Sequence, residues 1–181
     1  MMDPSDRRAW DEAHRQAAAA IPRRVRDRLP PLEGLRVLLL EGTAATGAEL
    51  AAAGALVTVT CERPRGAGKL PVVQADPAQL PSELLRGRFD LAYLEPGALP
   101  ARLDETFAGV FAALRPLGWL VVYERHPAER SREDYFDGPT LGDLVTAVSQ
   151  AGLTVKRLEE YPGLRDPRVP AEFLLRGEKP Q

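Results

Sequence analysis

The chain of 181 residues has one cysteine, Cys61, so it can form no internal disulfide and no CxxC zinc or redox pair. Two histidines, His14 and His126, lie too far apart in sequence to suggest a metal cluster. The apolar runs are far shorter than the roughly 20 residues of a membrane-spanning helix. The acidic, arginine-containing start does not read as a signal peptide, so a cytoplasmic protein is expected. Asparagine is absent, Ile21 is the only isoleucine, and only Lys69, Lys156 and Lys179 are lysines among 24 basic residues. This bias reads as GC-rich coding, of the kind seen in high-GC bacteria, and is compatible with a thermophilic source. The arginines are scattered among acids rather than gathered in a phosphate-binding run. A net charge of −2 gives no general electrostatic reason for nucleic-acid or anionic-membrane binding.

What is present is ordinary for a folded domain: 44% hydrophobic and 28% charged residues. The length reads as one domain with a sizeable core. Residues 5–29 show helical spacing through Trp10, Ala13, Ala17, Ile21 and Val25, with Pro22 predicting a break and Pro30-Pro31 an end. Thereafter short apolar runs alternate with helical patterns. Strands are expected at 35–40, 56–60, 71–74, 89–94, 119–123, 154–158 and 172–175. Helices are expected at 47–53, 101–115 and 141–151, with a short helical turn at 81–86. Thr140 is a candidate N-cap, and Gly54 and Gly152 are candidate helix stops. This order predicts an α/β fold: a Rossmann-like, mostly parallel seven-stranded sheet with helices on both faces and the last strand antiparallel. A ligand then belongs at the carboxyl ends of the strands, near 41–47, 60–64, 75–78, 93–98 and 123–127. Residues 1–31 are expected to form an N-terminal helical segment, and 32–181 the main domain.

Several pieces in order resemble the class I S-adenosylmethionine-dependent methyltransferases, in their small free-standing form. They are Leu32-Glu33-Gly34-Leu35-Arg36-Val37-Leu38, Ala53-Gly54-Ala55-Leu56-Val57-Thr58, Val73-Gln74-Ala75-Asp76-Pro77, Phe89-Asp90-Leu91-Ala92-Tyr93 and Thr140 to Pro162. The most specific is Ala113-Leu114-Arg115-Pro116-Leu117-Gly118-Trp119, which is similar to the family's LRPGG turn into its fifth strand. The resemblance spans residues 32–179. It implies S-adenosylmethionine as cofactor and transfer of its methyl group to an O, N or C nucleophile. Positioning then supplies much of the rate, and a general base is needed only where the acceptor must lose a proton.

The cofactor motifs depart from the family pattern. Aligned from Val37, the usual acid of the first motif falls on Leu39, and the usual glycines on Glu41, Thr43 and Ala45. A shifted register makes Glu41 the acid, with Gly42, Thr43 and Gly47 forming a modified loop. The other reading is a strand–helix turn that has lost its ligand. The ribose-binding acid falls on Cys61, with Glu62 its neighbour on the opposite strand face. Here too a small buried filler and a solvated acid are the alternative. Asp76 matches the adenine-binding Asp, although Pro77 has no N–H to offer the ring, and Asp76 also suits a simple turn. Only residues 62–70 separate the second and third strands, too few for the usual crossover helix, so that helix is expected to be reduced to a loop.

On the acceptor side the candidates are Tyr93, Glu95, Tyr123, Glu124 and His126. The family places substrate contacts after the fourth strand, near Tyr93 and Glu95, and Glu95 is also a candidate cofactor-binding residue. His126, at the end of the fifth strand, suits a general base of near-neutral pKa; it also suits an exposed loop histidine. The expected function is a methyltransferase for a small molecule. The alternative is a catalytically inactive methyltransferase-like protein that binds a ligand or partner. A nucleic-acid-modifying enzyme lacks its basic stripe and its Asn-Pro-Pro-Tyr-type motif, where this chain has Leu94-Glu95-Pro96-Gly97.

Overall fold

The computed structural model describes residues 21–62, 70–95, 97, 99, 101–127, 139–162 and 168–181. Seven strands form one sheet: β1 (Arg36–Leu40), β2 (Leu56–Cys61), β3 (Val72–Gln74), β4 (Phe89–Leu94), β5 (Leu114–Arg125), β6 (Thr154–Pro162) and β7 (Pro170–Glu178). Their spatial order is β3-β2-β1-β4-β5-β7-β6. All pairs are parallel except those of β7, which runs antiparallel to both β5 and β6. The helices among the described residues are α1 (Arg23–Arg26), α2 (Ala44–Ala52), α3 (Leu103–Ala113) and α4 (Leu141–Gln150).

Val37 to Leu40 are wholly buried because β1 is a central strand covered on both faces, which is why it reads as an unbroken apolar run. Leu38, Leu40, Ala92, Leu94, Leu120 and Val122 face Phe107 and Val110 of α3 and Leu144 and Val148 of α4. Val37, Leu39, Val59, Leu91, Tyr93 and Val121 face Leu50 of α2 and Val25 of α1. α1 is a four-residue turn that starts after Pro22, where the proline predicted a break. Too short to hold itself, it is fastened by Val25 and by three arginines. Arg24 pairs with Glu172 and donates to the Tyr123 hydroxyl at 3.1 Å, Arg26 pairs with Glu49, and Arg28 pairs with Glu159 at 3.0 Å. Of the helical segment expected over residues 5–29, residues 5–20 lie outside the described residues.

The entry to β5 carries the resemblance to LRPGG and shows what that turn needs. Leu117 sits at φ 63°, the left-handed region that favours glycine. At Gly118 a Cβ would stand 2.8 Å from the Arg115 carbonyl oxygen and 3.1 Å from that of Phe89. Lys179 Nζ, held 4.3 Å from the Phe111 ring centroid, donates to the Phe111 and Leu114 carbonyls at 2.7 Å each, satisfying the end of α3. Thr140 caps α4 in a full capping box with Asp143.

β6 and β7 are longer than their apolar patterns, and β5 runs on to Arg125, because the antiparallel pairing of β7 extends through polar residues; the early start of β5 at Leu114 comes from its pairing with Phe89 of β4. The β2–β3 connection has residues 63–69 outside the described residues, and so the expected reduction of its helix to a loop lies there too. The β3–β4 connection, which is described throughout, carries no helix. Its segment 81–85 is a tight turn, with the Leu84 and Leu85 N–H groups donating to Pro81 and Ser82 carbonyls.

Candidate functional site

The strand order reverses between β1 and β4, and an open sheet of this kind takes its ligand at the carboxyl ends of the strands beside such a reversal. The first turn out of β1 lies there. Glu41 takes the left-handed conformation at φ 50°, at the position where the family pattern has a glycine. For a residue with a side chain this costs about 1 kcal/mol. Gly42 follows because the chain doubles back over Leu39: a Cβ at Gly42 would lie 2.1 Å from Leu39 Cγ. Thr43 then caps α2, its hydroxyl accepting from the Thr46 N–H at 3.3 Å. The helix therefore starts at Ala44, three residues before the expected Gly47. Gly47 itself lies inside α2, where its missing side chain makes room for Leu70.

Glu95, just past β4, closes this turn. It is only 5% exposed, yet it carries a carboxylate. Its Oε1 accepts from the Thr43 N–H at 3.1 Å and the Thr43 hydroxyl at 3.3 Å, and the Thr46 hydroxyl adds a third bond. Burial pushes the Glu95 pKa up, and these three bonds oppose the rise. The carboxylate thus sits at the amino end of α2, where the helix dipole favours negative charge.

Glu41 reaches sideways. Its Oε1 accepts from the Glu62 N–H at 2.9 Å, which lays the carboxylate over the end of β2. Cys61 is buried at that strand end and Glu62 is exposed, as the filler-and-solvated-acid reading has it. Asp76 is part of a turn, its Oδ1 accepting from the Ala78 N–H at 2.8 Å, and it also pairs with Arg102 at the start of α3. Pro77 is buried behind it.

Tyr93 is buried with its hydroxyl held neutral: desolvation first, then the charge of Glu95, drive its pKa far above the ordinary 10. Its proton is therefore available for donation and not for removal at physiological pH. The neighbouring Tyr123 is raised in the same direction by burial. Glu124, 3% exposed, accepts from the Gly97 N–H at 2.7 Å and so ties the segment after β4 to β5. His126 is joined to the far side of the sheet. Its Nε2 lies 2.8 Å from Glu160 Oε1 on β6, its N–H donates to the Ala171 carbonyl at 2.7 Å, and its ring stands edge-on to Phe173. The structure thus brings together Glu41, Gly42, Thr43 and Glu95, with Tyr93 beneath Glu95. It gives His126 its partner on β6.

Thr46, Arg102 and Glu160 are new members. Thr43 ahead of an apolar helix carried a readable capping signal, and Thr46 is its partner in the first turn of that helix. Arg102 and Glu160 come from remote segments and left no local trace. Among the described residues no group of three or more His, Cys, Asp or Glu side chains is arranged to hold a metal ion.

This architecture is the class I S-adenosylmethionine-dependent methyltransferase fold. Solved structures superpose on nearly all of the chain. An S-adenosylmethionine-dependent methyltransferase from Mesorhizobium loti matches with TM-score 0.69 at 20% identity, covering 86% of this chain and 96% of its own. The Burkholderia thailandensis 1,6-didemethyltoxoflavin-N1-methyltransferase, solved with its substrate and S-adenosylhomocysteine, matches with TM-score 0.65 at 19% identity, covering 98% and 83%. A chain from the Haloferax volcanii complex of a methyltransferase activator with a methyltransferase matches with TM-score 0.76 at 17% identity, covering 96% and 94%. No protein-family model matches the sequence, and no curated protein matches it by sequence.

Proposed function

We propose that the chain is an S-adenosylmethionine-dependent methyltransferase acting on a small molecule. One observation carries this reading: both acids missing from the sequence motifs have substitutes supplied from a neighbouring strand. Glu95 from β4 stands against the loop whose own acid position is Leu39. Glu41 from β1 lies over the end of β2, where Cys61 stands in the acid's place. With Asp76 after β3, the carboxylates run along the strand ends in the order that an ammonium, a ribose diol and an adenine amino group require. The residues therefore fit the cofactor. When bound, it supplies an electrophilic methyl group. Glu95 would hold its ammonium, Glu41 its ribose hydroxyls by charge-assisted bonds, and Asp76 its adenine. Tyr93 would donate a hydrogen bond at the acceptor side. His126, oriented by Glu160, is the proposed proton acceptor for nucleophiles that must lose one.

Calorimetric titration with S-adenosylhomocysteine tests the binding part. Saturation at 100 times the dissociation constant adds about 2.7 kcal/mol of stability. Glu41→Gln and Glu95→Gln should each weaken binding about tenfold, as loss of a hydrogen bond to a charged group does. No binding at millimolar cofactor overturns the reading.

A second reading is a methyltransferase-like protein without catalysis. Leu39 in the acid's place and the left-handed strain at Glu41 favour it. Its signature is cofactor binding without transfer of a labelled methyl group to any small nucleophile offered. The activator bound in the Haloferax volcanii complex gives a protein-partner role its precedent.

A further inference from the structure

The end of the sheet opposite the candidate site holds a cavity of about 450 Å³, lined entirely by described residues. That volume lies within the range of small-molecule pockets. It exists for a simple reason. The run from Ala51 to Ala55 offers only small side chains, and no helix of the β3–β4 connection covers the start of β2. Its walls are Ala51, Ala55, Val57 and Leu70, and its mouth carries Leu56, which is 61% exposed.

Two arginines border it, Arg36 at the start of β1 and Arg88 just before β4. The guanidinium groups of Arg24, Arg26, Arg28, Arg102, Arg115 and Arg157 all pair with carboxylates. Those of Arg36 and Arg88 have no carboxylate partner among the described residues, and Arg88 rests 5.4 Å from the Phe89 ring centroid. The acid nearest Arg88 in sequence, Asp90, is occupied: it accepts from the Arg36 N–H at 2.7 Å and pairs with Arg115. Thr58 adds a half-buried hydroxyl.

We propose that this cavity binds a small amphiphilic anion, with its apolar body on Leu56, Val57 and Leu70 and its carboxylate or phosphate between Arg36 and Arg88. Guanidinium groups match either head group by paired hydrogen bonds. Leu56 stays exposed because the body of such a ligand is what covers it. The site is at the amino ends of the strands and does not depend on the proposed methyl transfer.

The test is calorimetry on the full chain with octanoate, octan-1-ol and inorganic phosphate as probes. Octanoate should bind saturably and at least tenfold more tightly than either of the others, since only it offers both parts. The Arg36→Ala/Arg88→Ala double variant should lose at least tenfold in octanoate affinity. Leu56→Asp, a change at an exposed position, should abolish binding without altering the melting temperature by more than a degree or two. Octanoate binding should be unchanged by saturating S-adenosylhomocysteine. Four results would overturn the assignment: no saturable octanoate binding, equal affinity for octan-1-ol, indifference to the double variant, or displacement by S-adenosylhomocysteine.

Discussion

Glu95 offers the sharpest test of the site, because its burial and its bonds pull in opposite directions. A carboxylate 5% exposed suffers desolvation, which raises its pKa from the ordinary 4.5. The folded chain therefore takes up a proton at higher pH than the unfolded chain does. Stability contributed at this position consequently grows as pH falls through the raised folded pKa, and levels off below the unfolded value. Glu95→Gln keeps an oxygen for the Thr43 N–H and has no proton to gain. At pH 7 it loses charge-assisted bonds but escapes desolvation, so the two effects should leave it within about 1 kcal/mol of the parent chain. Glu95→Ala instead leaves the Thr43 N–H without its acceptor and takes the carboxylate away from two hydroxyls, and should cost about 2–3 kcal/mol. Urea unfolding at pH 7 and pH 5 reads all three proteins. The parent should gain on the Gln variant as pH falls. A Gln variant as unstable as the Ala variant at pH 7 would refute the balance described here. So would a parent–Gln difference that does not move with pH.

Other positions give independent checks by the same unfolding assay. At Leu117 the φ of 63° penalises any side chain, so Leu117→Gly should be about 1 kcal/mol more stable than Leu117→Ala, the reverse of the usual order. Gly118→Ala should destabilise by about 1–3 kcal/mol, because its Cβ would press on two backbone oxygens that cannot move aside. Thr140→Ala should remove about 1 kcal/mol with the cap of α4. The same change should let the Asp143 pKa, held down chiefly by bonds from Thr140, climb back toward its ordinary value in an NMR titration. Because that pKa is lowered in the folded chain, the contribution of Asp143 is present above the unfolded pKa and is lost as pH falls through the folded one.

The central strands were legible because burial on both faces leaves no room for polar residues. β4 matches its expected bounds at Phe89–Leu94, and β1 differs by one residue. The outer strands β6 and β7 run past their apolar patterns because hydrogen bonding to a neighbour, not apolar content, sets their ends. α2 starts three residues ahead of the Gly47 that its pattern predicts, since glycine and threonine count against a helix interior while Thr43 acts as its cap.

The amino-acid order by itself determined the fold class. The alternation of short apolar runs with helical periods, and the Leu-Arg-Pro-Leu-Gly turn, are local features that few architectures accommodate. It also determined what stands at the motif positions: Leu39, Cys61 and Asp76. Only the tertiary structure decided what those departures mean. Glu95 meets Thr43 across 52 residues, and Asp76 meets Arg102 across 26. Glu41 turns onto β2, while His126 finds Glu160 on the far edge. Such meetings depend on the order of strands in the sheet and on which side chains burial holds in place, and no local pattern encodes either.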